Sequence, residues 1–136
     1  RGLPAVLAWT VEIDGRLPVG TPLAEVIERA DRETDGHALH YMINCAHPDH
    51  FAPVLAAERG APWTDRLRGL VANASRCSHA ELDAAEELDD GDPDELASQL
   101  AALRRAHPRL VVLGGCCGTD MRHLSALARA LVGKAV

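Results

Sequence analysis

The chain has 136 residues, of which 47% are apolar and 25% charged, and a net charge of −6. These values suit one globular domain and exclude a disordered chain. The acidic balance and the small aromatic set (two Trp, one Tyr, one Phe) argue against nucleic acid as a partner, and no run of roughly 18 apolar residues is present to cross a membrane.

Ala5–Val11 (AVLAWTV) is a short apolar run that predicts a buried strand. Asp14-Gly15 and Pro18-Val19-Gly20 mark a loop. Thr21 is a candidate N-cap, with Pro22 at the first helical position and a helix to about Arg32. Ala38–Asn44 predicts a second strand, running into Cys45-Ala46-His47-Pro48, and a helix covers Pro48 to Glu58. Leu67–Ala72 predicts a third strand, weakened by Gly69. Asn73–Asp92 is polar, acidic and irregular, long enough for a functional loop. Asp92-Pro93-Asp94-Glu95 starts a helix that ends near Ala106, with Pro108 blocking continuation. Leu110–Leu113 predicts the last strand. Gly114-Gly115-Cys116-Cys117-Gly118 follows, and Thr119 or Asp120 caps a helix through Leu131.

Strands alternate with helices, and the strands are apolar throughout. Those are marks of an α/β fold with a parallel sheet covered on both faces.

Four cysteines need an explanation. Cys116 and Cys117 are sequence neighbours, about 3.8 Å apart at Cα, which is short for a disulfide. No secretory signal pattern is seen, so a cytoplasmic, reducing setting is expected, where cysteines more often bind metal or do chemistry. Cys45 ends the second predicted strand, and Cys116 and Cys117 follow the last one. In α/β folds that edge is where active sites are built. Adjacent residues of a regular strand point to opposite faces, but Gly114, Gly115 and Gly118 allow backbone angles that turn both sulfurs the same way. Three converging thiolates form a soft, negative cage suited to Zn2+, and a three-ligand site keeps a position open for substrate. Cys77 has no partner motif and reads as a small buried hydrophobe. The absence of C-x-x-C disfavours a thiol redox protein.

Other polar residues have blander readings. Cys45, His47 and His50 form a weaker candidate for a separate metal site, the histidines being better placed in a rim loop. His123 fits a surface helix position. Glu12, at the end of the first strand, is a candidate pocket residue. The acidic run from Glu81 to Asp92 fits a solvated face, with attraction of a cationic ligand as its functional alternative.

Gly114-Gly115-Cys116-Cys117-Gly118-Thr119 and the upstream Asn44-Cys45 are the residues on which the chain resembles the homocysteine S-methyltransferase family. Asn73-Ala74-Ser75 and Gly20-Thr21-Pro22 add weaker support. The resemblance implies a (β/α)8 TIM-type barrel, which needs about 250 residues. Residues 1–136 would then be its C-terminal portion, a parallel half-barrel of strands five to eight with the N-terminal half absent, and Arg1 either a true start or a fragment boundary. It implies Zn2+ held by Cys45, Cys116 and Cys117, with homocysteine at the open position and methionine as product. The donor would be a small activated methyl compound, S-methylmethionine or S-adenosylmethionine. Asn73 is the best candidate here for a substrate contact. Met42 stands where the family often has Gly, and Ala72 where it often has Pro; neither is a ligand position. The competing reading is a truncated, catalytically silent half-barrel that binds zinc only. The methyltransferase reading requires Cys45, Asn73 and the cysteine pair at one edge, with the sulfurs within about 4 Å of each other around a bound metal and about an ångström or two further apart without one.

Overall fold

The computed structural model describes residues 2–133, so Arg1 lies outside the described residues. Four strands, β1 (Ala5–Trp9), β2 (Ala38–Ala46), β3 (Leu67–Ala72) and β4 (Val112–Gly115), form one sheet in the order β1-β2-β3-β4. Every neighbouring pair is parallel. Five helices connect or follow them: α1 (Leu23–Thr34), α2 (Pro48–Ala57), α3 (His79–Ala84), α4 (Pro93–Ala106) and α5 (Met121–Val132). A 3-10 turn at Pro62–Arg66 leads into β3. The result is an α/β fold with sequential parallel strands, an arrangement consistent with half of a barrel.

The core lies between the sheet and the helices. Tyr41 and Ile43 of β2 and Leu70 and Ala72 of β3 join Leu23 and Ile27 of α1, Phe51 and Leu55 of α2, Leu96 and Leu100 of α4 and Leu127 of α5 in one buried cluster. The alternate strand positions fall on the other face. There Val6 is 44% and Val112 41% exposed, and Ala8 is exposed as well. The expectation of a sheet covered on both faces is therefore corrected: helices cover one face, and the other is open and apolar.

Local chemistry explains most element boundaries. Asp92 caps α4 through bonds from the Asp94 and Glu95 N–H groups, and Asp120 caps α5. Thr21 is not the cap of α1. Pro22 holds that place in extended backbone without a side-chain bond. Leu17 N–H donates to the Thr21 carbonyl, and Arg16 bridges Pro22, so the segment is held extended just before a proline, which itself disfavours helix at Thr21. Gly69 does more than weaken β3: a Cβ there would sit 2.6 Å from Met42 Cε, so the glycine lets the Met42 side chain lie across the neighbouring strand.

Two boundaries depart further from the sequence pattern. The stretch after Asn73 is not wholly irregular, because α3 forms within it on a capping box in which Ser78 and Glu81 exchange bonds. β4 starts two residues late and takes in both glycines, since Gly69 to Ala72 of β3 pair with Val112 to Gly115.

Candidate metal centre

Cys45, Asn73 and the Cys116-Cys117 pair all lie at the carboxyl edge of the sheet. Asn44 pairs with Val71 and Ala46 with Ala72, leaving Cys45 as the extra residue of a bulge. Its φ is +50°, in the left-handed region. Regular alternation would put Cys45 on the helix-covered face with Tyr41 and Ile43; the bulge re-aims it.

The cysteine pair is tethered to the segment after β3. Cys116 N–H donates to the Ala72 carbonyl at 2.7 Å, and Ala74 N–H donates to the Cys117 carbonyl at 3.0 Å. Thr119 closes the turn, its N–H and hydroxyl both donating to the Cys116 carbonyl. Of the three flanking glycines, only Gly118 has positive φ, at +77°. A side chain there would also meet the Asp89 carbonyl oxygen at 2.6 Å. Gly115 makes room for the Thr119 side chain, whereas Gly114 faces open space. Backbone freedom at three glycines is thus needed at one of them.

The pair's sulfurs are 3.9 Å apart, and the three Sγ atoms of Cys45, Cys116 and Cys117 lie within 4.8 Å of one another. All four cysteines are free thiols. Burial, then hydrogen bonding and charge at Cys116, then Cys117, push the Cys45 thiol up to about 12. Cys117 is also pushed up, chiefly by Cys116. Cys45 and Cys117 crowded this way resist ionisation unless a cation compensates, and the three-sulfur donor set is the soft one that suits zinc.

A cleft of about 240 Å3 opens beside the sulfurs, bounded by Cys45, Asn73 and Cys117 on one side and by Leu82, Asp83 and Glu87 on the other. Asn73 is 3% exposed. Its Nδ2 donates to the Cys45 carbonyl at 3.1 Å, while its Oδ1 is buried without a hydrogen-bond partner.

The histidines are relocated. His47 is buried and caps α2, accepting from Asp49 N–H, and burial lowers its pKa. His50 is buried within α2, its Nε2 bonded to the Arg76 carbonyl. Neither belongs to the sulfur cluster, and neither is in a solvated loop. His123 is not on the surface: it is 3% exposed, completes the α5 capping box and holds the Asp90 carbonyl. Cys77, expected to be buried, is exposed and outside the cluster. The acidic run is only partly a solvated face, since Asp89 accepts from Ser75, Asp90 pairs with Arg122 and Asp92 caps α4.

His79 escaped the sequence reading. Its Nε2 donates to the Cys45 carbonyl at 2.6 Å, and its Nδ1 lies 3.1 Å from Glu12 Oε1. Burial disfavours its charge, but bonds to Cys45 and Glu12 and the carboxylates of Glu12 and Asp83 outweigh it and raise the pKa. The one available signal was the Ser78-x-x-Glu81 capping box, which places His79 at a helix start but not beside Cys45.

The family model described as Homocysteine S-methyltransferase matches residues 1–131. The chain belongs to the homocysteine S-methyltransferase family. No curated protein and no solved structure matches it. Membership in this methyltransferase family makes methyl transfer to homocysteine the activity to test against the rim geometry.

Proposed function

We propose that this member of the homocysteine S-methyltransferase family transfers a methyl group to the thiol of homocysteine in a zinc-dependent reaction, giving methionine. The observation that carries the reading is the convergence of three cysteine sulfurs at the sheet's carboxyl edge. Cys45, Cys116 and Cys117 would hold the metal and leave one position open. Zinc bound there would supply acceptor activation, favouring the thiolate of a coordinated thiol at neutral pH.

The chain's own residues then orient the reactants. Asn73 Oδ1, a buried acceptor without a partner, takes an N–H from the acceptor's ammonium group. Leu82 and Leu88 give the cleft an apolar lining beside the sulfurs. Asp83 and Glu87, on the same wall, favour a cationic donor, of which S-methylmethionine or S-adenosylmethionine is the class. The four strands are read as strands five to eight of a (β/α)8 barrel, residues 1–136 being its C-terminal portion. The open apolar face supports that reading, as does the need of a closed barrel for more strands than four. Turnover would then require the remaining strands, and a cytoplasmic setting keeps the thiols reduced.

Metal analysis, and a methylation assay on the chain completed with the remaining strands, test the proposal together. About one zinc per chain is expected. Cys116→Ala should lose both the zinc and methyl transfer to homocysteine. Full zinc occupancy after replacement of all three cysteines would overturn it.

A further inference from the structure

Among the described residues, only Asp35 and Cys45 combine a side chain with positive φ. Asp35 is the C-cap of α1, where a left-handed residue is routine. Cys45 has no helix end to account for it; it sits in a strand bulge, and an L-residue persists there only where its surroundings hold it. What holds it is a clamp on its carbonyl oxygen. Asn73 Nδ2 donates from one side at 3.1 Å and His79 Nε2 from another at 2.6 Å. Glu12, after β1, receives the other ring nitrogen of His79. The clamp thus joins three segments far apart in sequence.

We propose that His79, oriented by Glu12, is a positioning residue of the metal centre: by holding the Cys45 carbonyl it keeps the left-handed backbone that aims Cys45 Sγ at Cys116 and Cys117. The proposal rests on reading the three cysteines as a metal cage. His79 is not a ligand in it, and its effect on the metal passes through the backbone of one that is. A ligand's supporting hydrogen bonds are commonly worth about tenfold to a hundredfold in metal affinity.

The test uses the full chain loaded with Co2+, whose thiolate charge-transfer and ligand-field bands report the geometry of the cage. Affinity is read by competition with a chromophoric chelator. His79→Ala should bind Co2+ about tenfold to a hundredfold more weakly, with altered ligand-field bands. His79→Gln places an amide N–H near the position of Nε2 and should recover most of the affinity and the wild-type spectrum. Loss of packing alone would not be rescued that way. Glu12→Ala should give a smaller loss in the same direction and serves as the deciding variant if His79→Ala does not fold. Wild-type affinity and spectrum in His79→Ala, or in Glu12→Ala where that variant decides, would overturn the clamp while leaving the metal reading intact. A wild-type chain that takes up neither Co2+ nor Zn2+ would overturn both.

Discussion

The two ends of the sheet handle polar groups in opposite ways. At the amino end, Arg66 donates to both carboxylate oxygens of Asp31 and to the Ala38 carbonyl, and Tyr41 donates its hydroxyl to Asp31. Arg66 also lies over the Tyr41 ring, 5.5 Å from its centroid. At the carboxyl end, an amide oxygen is buried without a partner, a cysteine holds a left-handed backbone, and thiols crowd together. Groups that satisfy one another hold a fold; groups that await a partner keep capacity for a ligand. The carboxyl end is not loose throughout, since Arg122 and His123 tether the Asp90 loop to the start of α5. Of the buried polar atoms without a partner among the described residues, Asn73 Oδ1 is the one that belongs to the lining of the cleft beside the sulfurs; Trp9 Nε1, His50 Nδ1 and Gln99 Oε1 lie outside that lining.

That contrast breaks most sharply at the cage. Cys116→Ala should reduce zinc content and methyl transfer to background, measured by elemental analysis and product assay, while metal-free thermal unfolding stays near wild type. The converse holds at the amino end. Arg66→Ala leaves Asp31 without its main partner and should cost about 1–3 kcal/mol in denaturant unfolding, partial exposure keeping it below the cost of breaking a fully buried pair. Metal affinity should not change in that variant. If it does, the two ends are coupled and the contrast fails.

Asn73→Ala should raise the acceptor's KM by about tenfold, equivalent to about 1.4 kcal/mol for the one hydrogen bond lost to the acceptor, and should also weaken metal binding because it removes the Asn73 arm of the Cys45 clamp. Its effect on unfolding should be small, because the substitution also removes an orphaned acceptor.

The amino-end network also sets a pH window. The Arg66 hydrogen bond, against the cost of burial, holds the Asp31 pKa below its ordinary value. Its stabilisation is present above the unfolded value of about 3.9 and is lost as pH falls through the folded one. Burial, then the Asp31 bond, raises the Tyr41 pKa. That contribution is complete below the unfolded value of about 10 and is lost as pH rises through the folded one. Unfolding free energy should therefore fall at both limits, and Tyr41→Phe should flatten the alkaline one. The smallest effect is expected at Cys77, exposed and outside the cage: Cys77→Ser should keep zinc content and turnover within about twofold, inside the range of ordinary surface substitutions.

The alternation of strands and helices was legible because each element carries its own signal. Asp92 and Asp120 cap helices wherever the chain places them, and apolar runs announce the strands. The candidate cage was legible too, since adjacent cysteines before Gly118 and a cysteine at another strand end are local patterns. What the sequence by itself determined is this set of short-range features: caps, strand runs, and the turn that brings Cys116 and Cys117 together. Tertiary structure alone decided the rest. The bulge that turns Cys45 depends on its register against β3, the clamp joins Glu12 to His79 across the fold, and the burial of His47 and His123 depends on elements that pack over them. Capping and periodicity act over a few residues and leave a mark in the sequence. Register, burial and strain arise between residues that meet only after the chain has folded, and no short pattern records them.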